Sequence, residues 1–147
     1  SWIPPTILVT KCMNPRVTYV LLYVHDPLDA RKQALAIQLL TSLTSPVLLW
    51  QVACEYVAAS RKLKPVGVTP QEIWDNLRII QANWTLVLPD WKHLARAETL
   101  LTTHSLSFWD ALLIAVAAEE GVTTLYSEDF SGLPPIGSMT IVNPFVP

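Results

Sequence analysis

LSFWDALLIAVAAEEGVTTLYSED, residues 106–129, is the stretch that decides the fold. Ser107 is a helix-capping residue type, and Ser107 to Glu120 reads as an apolar helix closed by Gly121. Asp110 stands in its first turn and shares a face with Leu113, Ile114 and Ala117. Beyond Gly121 the pattern changes. Thr123 to Tyr126 is a short strand, and Ser127-Glu128-Asp129 is the turn that follows it.

The rest of the chain repeats this alternation. Arg16 to Val24 is dense in Val, Leu and Tyr and reads as a buried strand that ends at His25-Asp26-Pro27. Leu28 to Leu43 is a helix with Leu35, Leu39 and Leu43 four residues apart. Val47 to Trp50 is a short strand, and Gln51 to Leu63 a helix ending in basic residues. Thr69-Pro70-Gln71-Glu72 is a helix start, with a Thr cap, Pro at the first position and Glu at the third. Thr85 to Leu88 is a strand, Asp90 to Thr102 a helix, and Met139 to Val142 the last strand. Strands alternating with helices imply an α/β protein with a mainly parallel sheet covered on both sides. Residues 1–12 read as an N-terminal extension and residues 13–147 as one domain, with Met13 as a natural start.

Length and composition fit one packed domain: 147 residues, 51% hydrophobic and 15% charged. No apolar run approaches the roughly 18–20 residues that span a bilayer. Ser1 to Thr10 carries no secretory pattern. Cys12 and Cys54 form no ligand spacing, which favours a reduced, cytoplasmic setting. The net charge of −2 gives no global attraction for nucleic acid, so such contact needs a local patch. Arg61, Lys62 and Lys64, or Arg31 with Lys32, offer one; the alternative is solvated helix ends.

Three carboxylates stand in apolar surroundings. Glu55 is the only charged residue between Lys32 and Arg61, and Asp110 the only one between Glu98 and Glu119. Asp129 and its neighbour Glu128 are the only charges from Gly121 to Pro147. A carboxylate among residues that want burial is costly unless neutralised, so three that converge would suit a cation. Each has a structural alternative. Glu55 can reach past Ala58 and Ala59 to solvent; Asp110 can close a capping box with Ser107; Asp129 can be a turn residue. Glu128 reads as a surface acid, and Ser127 as a turn hydroxyl or a contact for a phosphate oxygen.

Leu106-Ser107-Phe108-Trp109-Asp110-Ala111, then Thr124-Leu125-Tyr126-Ser127-Glu128-Asp129, then Ile141-Val142-Asn143-Pro144-Phe145, resembles the C-terminal half of PIN-domain proteins. This is the PilT N-terminus family, which includes the VapC-type toxin ribonucleases. Gln51-Val52-Ala53-Cys54-Glu55 looks like that family's helix with the second acid, and Arg61-Lys62 like its basic end. The resemblance runs from about Arg16 onward. It implies a three-layer α/β/α sandwich on a mainly parallel sheet of about five strands. It also implies Mg2+- or Mn2+-dependent cleavage of RNA phosphodiesters, with Glu55, Asp110 and Asp129 as the second, third and fourth acids. Arg61, Lys62 and Ser127 would contact RNA. An antitoxin protein and a second copy of the chain are the implied partners.

The chain departs from the family at the first acid. The family's first strand ends in Asp-Thr/Ser-Asn; here, without gaps, Val17 stands at the Asp position and Tyr19 at the Asn position. No Asp or Glu occurs before Asp26. Asp26, Asp29 and His25 follow this strand and are read as turn and helix-start residues. Two functions compete: a PIN-type toxin endoribonuclease, and a degenerate PIN domain that binds RNA or protein without cutting. A phosphatase or nucleotide-binding domain is disfavoured, because the four glycines form no phosphate loop.

Overall fold

The computed structural model describes residues 20–128, 130 and 133–147, and the backbone of residues 6–8. In chain order the elements are β1 (Thr6–Leu8), α1 (Val20–Tyr23), α2 (Ala30–Ser42), β2 (Pro46–Leu49), α3 (Trp50–Ala59), a 3-10 helix (Ser60–Val66), α4 (Pro70–Asn83), β3 (Thr85–Val87), α5 (Trp91–Thr103), α6 (Phe108–Glu119), β4 (Thr124–Tyr126) and β5 (Thr140–Val142). The five strands form one sheet in the order β3-β2-β1-β4-β5, and every pair is parallel. Helices cover it in a three-layer α/β/α sandwich, as the alternation implied. The order reverses at β1, so the crevice beyond the carboxyl ends of β1 and β4 is a topological switch point, where open α/β sheets take ligands.

The residues explain the elements. All of Asp110 to Ala117 in α6 is buried, as expected for a helix apolar all round. Leu113 and Ile114 are at most 1% exposed, and burial of each contributes about 1.5–3 kcal/mol. At its end the Val122 N–H bonds the Ala117 carbonyl at 3.1 Å, and the Gly121 N–H bonds that of Ala118 at 3.2 Å. This Schellman closure needs the positive φ that glycine accepts, here 75°. The two surface helices bury one stripe each: Ile73, Leu77 and Ile80 in α4, and His93, Ala97 and Leu100 in α5. The expected start of α4 is present, with Thr69 and Glu72 in a reciprocal capping box and Pro70 following the cap.

The N-terminal reading needs two corrections. Val20–Tyr23 is not a strand; it is one turn of helix, wholly buried, which closes through His25 N–H to the Leu22 carbonyl. A four-residue apolar run fits a buried helix as well as a buried strand, and periodicity cannot separate them. The sheet's middle strand is Thr6–Leu8, inside the stretch read as an extension; it pairs with Pro46 and Val47 on one side and with Thr124 to Tyr126 on the other. The remainder of the expected strand, residues 16–19, lies outside the described residues.

Candidate metal centre

Glu55 lies in the second turn of α3, 9% exposed, on the same side as buried Val52 and Tyr56. It does not escape past the alanines. Gln51, one turn earlier, donates from Nε2 to Glu55 Oε1 at 3.0 Å and to the Trp109 carbonyl at 3.3 Å. One amide nitrogen therefore joins the first turns of α3 and α6. Because α3 starts directly after β2, this contact also places the amino end of α6 at the carboxyl edge of the sheet.

Asp110 follows Trp109 and is 5% exposed. Ser107 caps the helix, its Oγ accepting from the Asp110 N–H at 3.2 Å. The Asp110 carboxylate does not return the bond, so the capping box is half made. Its Oδ1 is buried and has no hydrogen-bond partner among the described residues. A buried acceptor left unpaired costs about 1–3 kcal/mol, more when charged. The amino end of the α6 dipole offsets about 0.3–1 kcal/mol of that, which leaves a deficit.

Beyond β4, Ser127 is 1% exposed and its N–H bonds the Val142 carbonyl at 2.9 Å. Glu128 is not the surface acid expected. Its Oε2 takes a 3.0 Å ion pair from Lys32 Nζ, and its Oε1 a 2.9 Å hydrogen bond from Tyr23 Oη. Lys32 Nζ also donates to Tyr23 Oη at 2.8 Å and lies 5.4 Å from the Phe145 ring centre. Burial pulls the Lys32 pKa down, but the bonds to Tyr23 and Glu128 and the Glu128 charge outweigh it, so the net shift is upward. Asp129 and Val17 lie outside the described residues. Among the described residues no three His, Cys, Asp or Glu side chains gather as a ligand set; the described part of the predicted site is Glu55 and Asp110.

The basic residues sit at the far end of α3. Arg61 and Lys62 are exposed in the 3-10 helix, and Arg61 Nε donates to the Ala58 carbonyl at 3.3 Å, complementing the helix end. Arg61 and Lys64 border a groove that also includes Thr69 and Trp74. Six residues separate Glu55 from Arg61, about 9 Å along the axis.

Sequence reasoning missed Gln51, although a Gln one turn before an isolated Glu is a visible helical pair. It also missed a polar knot inside the fold. Tyr56, 1% exposed, shares its hydroxyl with His25 Nε2 at 2.8 Å and Asn76 Nδ2 at 2.9 Å. Burial lowers the His25 pKa, and the Glu72 charge opposes that only in part.

The chemistry of the described pair suits a hard divalent cation: two oxygen-donor side chains, one with an oxygen that nothing among the described residues satisfies. The chain's fold is similar to a toxin–antitoxin complex from Klebsiella pneumoniae, with TM-score 0.57 and 19% identity over 80% of this chain and 90% of that one. No curated protein matches the sequence. The PIN domain family model matches residues 17–131, most of the chain and all of the elements that carry the acids. The chain belongs to the PIN-domain family.

Proposed function

We propose that this chain is a metal-dependent endoribonuclease of the PIN toxin type, which hydrolyses RNA phosphodiester bonds. The observation that carries the reading is the buried Oδ1 of Asp110, without a partner among the described residues, in a helix turn that Gln51 ties to Glu55. Glu55, Asp110 and Asp129 would hold Mg2+ or Mn2+. Such an ion, when bound, polarises a phosphate and lowers the pKa of an attacking water. The chain's own contributions are positional. Gln51 fixes Glu55 Oε1 against the start of α6, and Ser107 holds the backbone of Asp110. Leu49 and Leu113, each 1% exposed, belong to the apolar core under the first turns of α3 and α6. Arg61 and Lys62 would meet phosphates along the strand, with Ser127 near the cleavage point.

A toxin of this kind would be held inactive by an antitoxin protein, would act as a homodimer, and would work in the cytoplasm. No described helix is long and apolar enough to cross a membrane. One observation favours the second reading, a degenerate domain that binds RNA or protein without cutting: no Asp or Glu precedes Asp26, so neither β1 nor the segment after it supplies the first acid. Calorimetry with Mn2+ and an RNA cleavage assay decide between them. The enzyme reading expects saturable binding and metal-dependent cleavage; no heat at millimolar Mn2+ and intact RNA would leave the degenerate one.

A further inference from the structure

We infer that the cleft between Trp50 and Trp109 is a nucleobase subsite, in which a base next to the scissile phosphate stacks on an indole. The inference deepens the RNA reading above and rests on it.

The cleft, about 200 Å3, opens between the first turns of α3 and α6. Its floor is apolar, made by Leu49, Leu112 and Val116. Trp50 and Trp109 stand on its walls with 56% and 46% of their surfaces exposed. Phe108 meets the Trp109 ring edge-on, with centroids 5.1 Å apart and planes at 70°, and so braces it.

Position links this cleft to the acids. Gln51 lines it, and the Gln51 amide nitrogen bonds both Glu55 and the Trp109 carbonyl. Trp109 is also the residue before Asp110. The cleft is thus joined to Glu55 through the Gln51 side chain and to Asp110 through the first turn of α6, while the carboxylates themselves lie outside its lining.

Size selects the occupant. The volume is below the roughly 300–1,000 Å3 of sites for drug-sized ligands, and a helix about 10 Å across is too thick for it. A single flat ring system fits, with its faces on indole and its edge toward Gln51. With Nε2 committed to Glu55 and Trp109, Gln51 Oε1 is placed to accept from an N–H on that edge. Unstacked RNA bases are held in this way, by aromatic stacking and hydrogen bonds to their edges.

The test separates the subsite from the cleavage reaction. Short single-stranded RNA is titrated in EDTA, with indole fluorescence as the readout. We expect quenching, and about tenfold weaker binding for Trp109→Ala and Trp50→Ala, the scale of one lost base stack. Trp109→Phe should recover most of the affinity, and Trp91→Ala, which changes a tryptophan 84% exposed outside the cleft, should bind as the parent chain does. An oligonucleotide with one abasic position at the subsite should lose the same tenfold on the parent chain, which needs no variant to fold. Binding with this pattern but no cleavage in Mn2+ supports the subsite and overturns the catalytic reading. Cleavage with no abasic penalty overturns the subsite and leaves the catalytic reading standing. The subsite also fails if no oligonucleotide quenches the indoles, or if Trp109→Ala leaves RNA binding intact and instead abolishes self-association or a protein complex.

Discussion

Two partly or wholly buried acids stand at the same edge of the sheet and are treated in opposite ways. Glu128 is saturated: Lys32 neutralises it and Tyr23 donates to it, so its charge and both oxygens are satisfied from within the chain. Asp110 is more deeply buried, yet its Oδ1 has no partner among the described residues. Under the function proposed above, the difference separates a structural acid from an acid held for a ligand. The described residues supply a lysine for one carboxylate and none for the more costly one; on the proposed reading the second is kept available, and that availability is paid for in stability.

The largest expected effect comes from removing that availability. Asp110→Asn should lower Mn2+ affinity by more than 100-fold, beyond the 10–100-fold typical of residues that only support a ligand. In calorimetry, unchanged affinity would reduce Asp110 to a helix residue. Asp110→Leu sharpens the comparison in metal-free protein. The cost of the orphan oxygen, about 1–3 kcal/mol, exceeds the lost dipole interaction of about 0.3–1 kcal/mol. Denaturant unfolding should therefore show a gain in stability, and a loss would mean that the carboxylate is satisfied after all.

The mirror experiment is Lys32→Met. It strips Glu128 of its cation while keeping an apolar stem against Phe145. Neither side chain is fully buried, with 27% and 18% exposed, so the cost should fall below the 3–5 kcal/mol of breaking a fully buried pair, at about 1–2 kcal/mol. Lys32→Met with Glu128→Gln should recover part of it. If the single variant is as stable as the parent, the two corners do not differ as argued. The pH signature follows from the raised Lys32 pKa. Its contribution is fully present below the unfolded value near 10.5 and is lost as pH rises through the higher folded value.

How far these corners could be read in advance depended on the distance between partners in sequence. The capping box at Thr69, the closure at Gly121 and the all-apolar α6 rest on neighbours within one turn, and each was legible. Val20–Tyr23 was misread because four apolar residues carry too little periodicity, and Thr6–Leu8 because a three-residue strand gains its identity from partners some 40 and 118 positions away. Asp110 was legible as an isolated acid in an apolar helix, but its alternative as a capping partner was not excluded by sequence. Only the unreturned bond to Ser107 excludes it. The Lys32–Glu128 pair spans 96 positions, and nothing local marks Glu128 as paired and half-buried.

A smaller effect is expected at Gln51. Gln51→Ala deletes the bond to Glu55 Oε1 and the link to Trp109 without removing a carboxylate. Loss of such a supporting bond typically costs 10–100-fold in metal affinity; with Gln51 half-exposed, the low end, about tenfold, is expected. Gln51→Glu keeps the length but sets a second charge one turn from Glu55, and should not rescue it. Equal Mn2+ affinity in all three proteins would show that the Gln51 bond does not position Glu55.

The smallest effect sits away from both corners. His25 is held neutral by burial against the Tyr56 hydroxyl, with its pKa below the ordinary 6.5. For a depressed folded pKa, the contribution to stability is complete above the unfolded value and is lost as pH falls through the folded one. Stability should thus decline below about pH 6.5 and level off once His25 is charged in both states. Glu72, fully exposed, attracts the charged imidazole and limits the shift, so Glu72→Gln should make the decline steeper. Because that substitution also opens the Thr69 capping box, the readout is the slope of stability against pH and not its absolute value. A slope that stays the same in Glu72→Gln, or that persists unchanged in His25→Asn, would assign the acid sensitivity to the carboxylates at the sheet edge instead.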